Sequence, residues 1–140
     1  MTRQFKLIVD SRVERLSEIA AFVENAAQTS GLDDDQTYDV QMAVDEACTN
    51  VIQHAYRGSK KGSIEIACEK RGNEFVVTIR DFGKSFDPHQ VPRPNPHDPL
   101  SRRGIGGLGL FFMEKMMDRI EFAFSKKNGN LLTMVKKIKK

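Results

Sequence analysis

Gly104-Ile105-Gly106-Gly107-Leu108-Gly109-Leu110 decides how the chain folds, because it satisfies the spacing G-x-G-x-x-G and at first sight announces a dinucleotide-binding crossover. That fingerprint needs a hydrophobic strand directly before it. Here the preceding residues are His97-Asp98-Pro99-Leu100-Ser101-Arg102-Arg103, which have no strand character, and the dinucleotide fold is excluded. The underlying physics survives the exclusion. Glycines leading into a helix expose backbone N–H groups to an anion, and the helix N-terminus adds a favourable dipole. Arg102 and Arg103 stand beside this junction as added positive charge, or as two solvated loop arginines.

Upstream of the glycines, all five prolines of the chain, Pro88, Pro92, Pro94, Pro96 and Pro99, fall between Gly83 and Gly104. Proline fixes φ and lacks the backbone donor, so residues 84–103 are expected to form a long loop, a lid by its length and position. Before it, residues 63–69 and 74–80 read as two strands joined by Lys70-Arg71-Gly72-Asn73. The acidic run Asp33-Asp34-Asp35 opens a helix that continues to about Tyr56, with Val40, Val44, Ala47 and Val51 as its buried stripe. A first strand over residues 5–10 and a helix capped by Ser11, with Val13, Leu16, Ile19, Ala20 and Val23 inward, precede that. After the glycines come a helix over residues 108–117 and a hairpin of strands 119–125 and 131–138 around Asn128-Gly129. The order predicts an α+β two-layer sandwich, a mixed and mostly antiparallel sheet with helices on one face. Residues 1–140 are expected to form one domain.

Composition narrows the function classes. The net charge of +3 comes largely from Lys136, Lys137, Lys139 and Lys140, which read as a solvated end, and a basic surface for nucleic acid is not expected. Cys48 and Cys68 lack the paired spacing of a zinc or redox site. No apolar run reaches the roughly 18 residues of a membrane span, and the polar start lacks the apolar core of a signal peptide, so a cytoplasmic protein with no membrane partner is expected.

Two further clusters carry candidate chemistry. Glu46 and Asn50 are one helical turn apart on one face, with His54 next in line. A carboxylate can take the proton of an attacking hydroxyl, and an amide oxygen can ligate Mg²⁺ without cancelling its charge, although alone the pair reads as an ordinary solvated helix face. Asp81-Phe82-Gly83 ends the strand over residues 74–80. There an aspartate can accept a hydrogen bond from an exocyclic amine and a glycine lets a flat ring approach the backbone. The same triplet occurs in eukaryotic-type protein kinases, but their glycine loop comes first and their chain is longer, so that family is rejected.

Taken together and in this order, Glu46-x-x-x-Asn50, Asp81-x-Gly83 and Gly104-x-Gly106-Gly107-x-Gly109-Leu110 resemble the three nucleotide-binding boxes of the GHKL (Bergerat-fold) ATPases. Within that superfamily the small size and the stretches from Asp81 to Pro88 and from Gly104 to Met113 look most like the RsbW-type anti-sigma factor serine kinases. The resemblance implies ATP and Mg²⁺ as cofactors, with Glu46 as general base towards a serine or threonine hydroxyl and Asn50 as Mg²⁺ ligand. It implies Asp81 as the adenine-reading carboxylate and Gly83 as room for the ring. Arg103, Gly104, Gly106, Gly107, Leu108 and Gly109 would surround the phosphates. The implied partners are a STAS-domain antagonist as substrate, a sigma factor or related regulator held by the same protein, and a second copy in a homodimer.

A sensor histidine kinase would need a helical dimerisation domain bearing the phosphorylated histidine, and chaperone or gyrase relatives need transducer domains; neither is expected of these 140 residues. The non-enzymatic alternative is a binding module that uses nucleotide only to set its surface and sequesters a regulator. Glu46 favours the kinase, because binding alone needs no base.

Overall fold

Residues 64, 66 and 68 of one strand and 75, 77 and 79 of its neighbour are apolar at a period of two, and all six side chains are buried on one side of a sheet. The computed structural model describes residues 3–85 and 107–139. Its elements run β1 (Gln4–Asp10), α1 (Leu16–Thr29), α2 (Asp34–Asn50), β2 (Ser63–Arg71), β3 (Glu74–Asp81), α3 (Gly107–Met116), β4 (Arg119–Ser125) and β5 (Gly129–Lys137). The five strands lie in the order β1-β2-β3-β5-β4, and every described pairing is antiparallel, so the expected α+β sandwich has no parallel strand pair among the described residues. Helices and sheet share one core, in which Ile19 and Val23 of α1, Val40 and Val44 of α2 and Met113 of α3 meet Ile66, Phe75, Ile79 and Met134 of the strands. Each such side chain, fully buried, contributes on the order of 1.5–3 kcal/mol.

β5 is inserted between β3 and β4, so Asp81, the last residue of β3, lies opposite Asn130 near the start of β5. The β2–β3 connection is shorter than expected: Arg71 pairs with Glu74, leaving Gly72 and Asn73 as a two-residue turn with Gly72 at φ 60°.

Three local expectations change. Ser11 caps no helix: its hydroxyl donates to the Ser59 carbonyl and accepts from the Gly62 N–H, tying the end of β1 to the loop before β2. A 3-10 turn, Val13–Arg15, precedes α1, so Val13 falls outside the helical stripe and stays exposed. The basic end is no loose tail either, since Lys136 reaches from β5 into the helical layer, where its ammonium donates to Asp39 Oδ2 at 3.0 Å and to the Met116 carbonyl. The chain beyond it is held by Gln36 of α2, which donates to the Lys137 carbonyl at 2.7 Å and accepts from the Lys139 N–H at 3.3 Å. β strands bring these residues inward because every second side chain of β5 faces the helices.

Candidate functional site

α2 is the spine of the site. It starts where Asp33 accepts the Gln36 N–H at 2.8 Å and where Asp34 and Asp35 face the positive end of the helix dipole. One face buries Ala43, Val44, Ala47 and Cys48, which leaves Glu46 and Asn50 half-buried at its margin. Glu46 points at α3. A Cβ on Gly109 would come within 2.9 Å of Glu46 Cγ and 3.0 Å of its Cδ, and closer still to Oε1, so a side chain there would push the Glu46 carboxylate aside. Burial, and secondarily the charge of Asp45, push the Glu46 carboxyl above its ordinary range.

After Asn50 the helix changes character. Val51–Ala55 is a π-helical turn, closed by the Tyr56 N–H on the Val51 carbonyl at 3.0 Å. The buried position at this end is Ile52, four residues on from Cys48, while Val51, expected to be in the stripe, is half-buried. The helical period that would align His54 above Asn50 therefore does not continue past Asn50. The widened end presents the Ala55 carbonyl to the segment that follows β3, where it accepts the Lys84 N–H at 2.8 Å.

Asp81 occupies the helix-facing row of β3, after Phe75, Val77 and Ile79, and is only 5% exposed. Its Oδ1 accepts two donors, the Gly83 N–H at 2.9 Å and Asn130 Nδ2 at 2.9 Å. Its Oδ2 takes no hydrogen bond among the described residues. Burial raises the Asp81 carboxyl, and the bonds from Asn130 and Gly83 pull the other way. Gly83 itself lies flat on the π turn: a Cβ would stand 2.5 Å from the Ala55 oxygen, 2.6 Å from its carbonyl carbon and 2.8 Å from its Cβ. Tyr56 completes the clasp, its hydroxyl accepting the Phe82 N–H at 2.8 Å and donating to the Ser63 carbonyl at 2.7 Å. The Phe82 ring is 57% exposed and fills no core position.

The structure thus brings Glu46 to Gly109 and Gly83 to Ala55, and the Cys48 thiol is pushed up by its burial first, then by the charges of Asp45 and Asp81. Three of the residue groups singled out in the sequence line the flank of one helix. Gly107 and Leu108 open α3, as the loop-to-helix junction requires, while Arg102, Arg103, Gly104, Gly106 and the proline-bearing segment lie outside the described residues. Sequence reasoning missed Asn130, Tyr56 and the π turn. Asn130 was hidden beside the turn pair Asn128-Gly129, and only the β3–β5 register places it opposite Asp81.

These residues are compatible with a purine nucleotide on two counts: a carboxylate with one oxygen unengaged among the described residues, and a glycine-bearing helix start near a second carboxylate. Among the described residues no group of three or more His, Cys, Asp or Glu could hold a metal by itself. A Mg²⁺ carried mainly by phosphates and waters needs only one or two protein ligands, which Asn50 can supply. No helix among the described residues is long and apolar enough to cross a membrane.

Comparison with known proteins agrees with this geometry. The chain belongs to the histidine kinase-like ATPase domain family, whose profile matches residues 9–136. Within it the chain is an RsbW-like kinase of the GHKL superfamily. It is 34% identical over 116 residues to the serine-protein kinase RsbW of Bacillus subtilis, covering 80% of this chain and 72% of that one. It is also 34% identical over 133 residues to the serine-protein kinase RsbW of Staphylococcus epidermidis, covering 91% and 82%. In three dimensions it matches the crystal structure of the RsbU and RsbW domains of a Mycobacterium tuberculosis protein with a TM-score of 0.71 at 15% identity, covering 97% of this chain and 32% of that one, a likeness of fold.

Proposed function

We propose that the chain binds ATP with Mg²⁺ along the α2 flank and transfers the γ-phosphoryl group to a serine or threonine of a STAS-domain antagonist, and that it also binds a sigma factor or related regulator. Asp81 takes the adenine amino group on an oxygen unengaged among the described residues, and Gly83 lets the turn that follows lie close on Ala55 beneath the ring. Gly104, Gly106, Gly107, Gly109, Leu108 and Arg103 surround the phosphates at the start of α3. Asn50 holds the Mg²⁺, which when bound neutralises phosphate charge.

Glu46 then receives the proton of the attacking hydroxyl as the new O–P bond forms and the bond to the bridging oxygen breaks, releasing ADP. Most of the rate in such a transfer comes from positioning and electrostatic stabilisation, with a smaller share from the base. The observation that carries the kinase reading is the half-buried carboxylate of Glu46 held against the glycine-bearing start of α3. A pure sequestering module has no use for a base in that position.

The test uses calorimetry with ATP and Mg²⁺, followed by radioactive labelling of a STAS-domain protein. Glu46→Ala is expected to keep nucleotide binding and lose labelling by about 10²–10⁴-fold, whereas Asn50→Ala weakens the Mg²⁺-dependent binding itself. Undiminished labelling by the Glu46 variant removes the base from the mechanism, and tight ATP binding with no transfer to any STAS protein favours the sequestering module.

A further inference from the structure

We propose that Lys136 is a positioning residue for the phosphoryl transfer: it sets how the glycine-bearing start of α3 meets Glu46. This rests on the reading of Glu46 as the base. The Lys136 side chain is only 14% exposed, which a lysine tolerates when its ammonium is paired. Its Nζ donates to Asp39 Oδ2 of α2 at 3.0 Å and to the carbonyl of Met116, the last residue of α3. One ammonium thus joins β5 to both helices. Its charge also suits the negative end of the α3 dipole.

The spacing of the contacts gives this tie its reach. Seven residues separate Asp39 from Glu46 along α2, and seven separate Gly109 from Met116 along α3. Asp39 and Met116 share one donor and Glu46 lies against Gly109, so the two helices run antiparallel and meet at two places about 10.5 Å apart on each. A slide or rotation of α3 allowed at Met116 therefore arrives undiminished at Gly109. Apolar packing does not set that register by itself. Leu110, Met113 and Met117 are buried, but burial is non-directional and methionine adapts to a shifted neighbour. A hydrogen-bonded ammonium has a direction. Misplacing a reacting group by about 1 Å costs on the order of 10²-fold in rate, so a small shift at the start of α3 registers in the chemical step.

The experiment compares wild type with Lys136→Met, which keeps the stem and removes the charge, and with Asp39→Asn, which weakens the tie from the other partner. Single-turnover labelling of a STAS-domain protein gives a rate constant and an amplitude, and calorimetry gives the ATP dissociation constant. In Lys136→Met the rate constant is expected to fall by about 10-fold, with the amplitude kept and ATP affinity within about threefold of wild type. Asp39→Asn moves the same quantities in the same direction by less, and it supplies the comparison if Lys136→Met melts below the assay temperature. Combined with Gly109→Ala, Lys136→Met adds less than about threefold to the loss that Gly109→Ala causes alone, because both act on the same approach. Amide hydrogen exchange of residues 107–117 without nucleotide reads the tie apart from the reaction: exchange in Lys136→Met is expected to quicken through the Gly109 end of α3.

A variant with lower amplitude and an unchanged rate constant shows a merely structural lysine and overturns the proposal. Equal losses in rate and ATP affinity, full multiplication with the Gly109→Ala loss, or quickened exchange confined to the Met116 end also overturn it. A wild-type protein that labels no STAS-domain protein is a different failure, because it removes the kinase reading and the positioning role falls with it.

Discussion

Replacing Gly83 by alanine adds one methyl group at the point where the turn after β3 rests on the π turn, and the cost of that methyl can be worked out atom by atom. The backbone at Gly83 is not in the left-handed region, so alanine incurs no conformational strain and the whole effect comes from contact. The new Cβ would meet the Ala55 oxygen at 2.5 Å, its carbonyl carbon at 2.6 Å and its Cβ at 2.8 Å. Relief requires the two segments to part by roughly an ångström, since carbon atoms rest at about 3.5–4.0 Å. Overpacking of this kind costs about 1–3 kcal/mol.

Separation also stretches the Lys84 N–H bond to Ala55 and disturbs the Gly83 N–H bond to Asp81, at about 1 kcal/mol each. The lower entropy of the unfolded alanine chain returns about 0.4–1 kcal/mol. The net expectation is a loss of about 2–4.5 kcal/mol, or about 6–14 °C in melting temperature for a chain of this size. Thermal melts followed by circular dichroism read the stability, and calorimetry reads the accompanying loss of ATP affinity. Adding Ala55→Gly does not rescue the variant, because two of the three obstructing atoms belong to the backbone. A Gly83→Ala protein that melts within about 1–2 °C of wild type and binds ATP unchanged would refute this account of the turn.

Gly109→Ala separates the chemical step from binding: the methyl displaces the Glu46 carboxylate, so phosphoryl transfer falls by about 10²-fold while ATP affinity changes much less. Single-turnover labelling beside calorimetry checks this, and equal losses in both would show that the methyl acts on the nucleotide and not through Glu46. The raised Glu46 carboxyl predicts that labelling declines with acidification at a higher pH than an ordinary glutamate would give. Because its folded value lies above its unfolded one, the stability it contributes is complete below the unfolded value and is lost as pH rises through the folded value. Glu46→Gln should therefore melt above wild type at neutral pH, with the gap closing in acid; melts across that range that run parallel would contradict it.

Much of the frame was legible because it is periodic. The alternation in β2 and β3 located both strands, and β4 was bounded correctly at Arg119 and Ser125. Glu46, Asn50, Asp81 and Gly83 were legible as candidates because their residue types and order are informative without knowledge of packing. What escaped was non-local or a departure from a regular period. The π turn breaks a period that every helical template continues, and its i to i+5 bond appears only in three dimensions. Asn130 acts through a register between strands 49 residues apart. Lys136 looked like part of a charged end because composition does not reveal that its neighbours in β5 pair with β3 and β4.

That same insertion of β5 between β3 and β4 bears on how the protein can vary. Among the described residues the chain leaves the sheet at Asp81 and returns to it at Arg119, so residues 82–118 make up one connection between β3 and β4. Closing such a connection depends only on the logarithm of its length, so doubling it costs about 0.6 kcal/mol. Insertions and deletions in that connection can therefore be accommodated while the strand ladder is left intact.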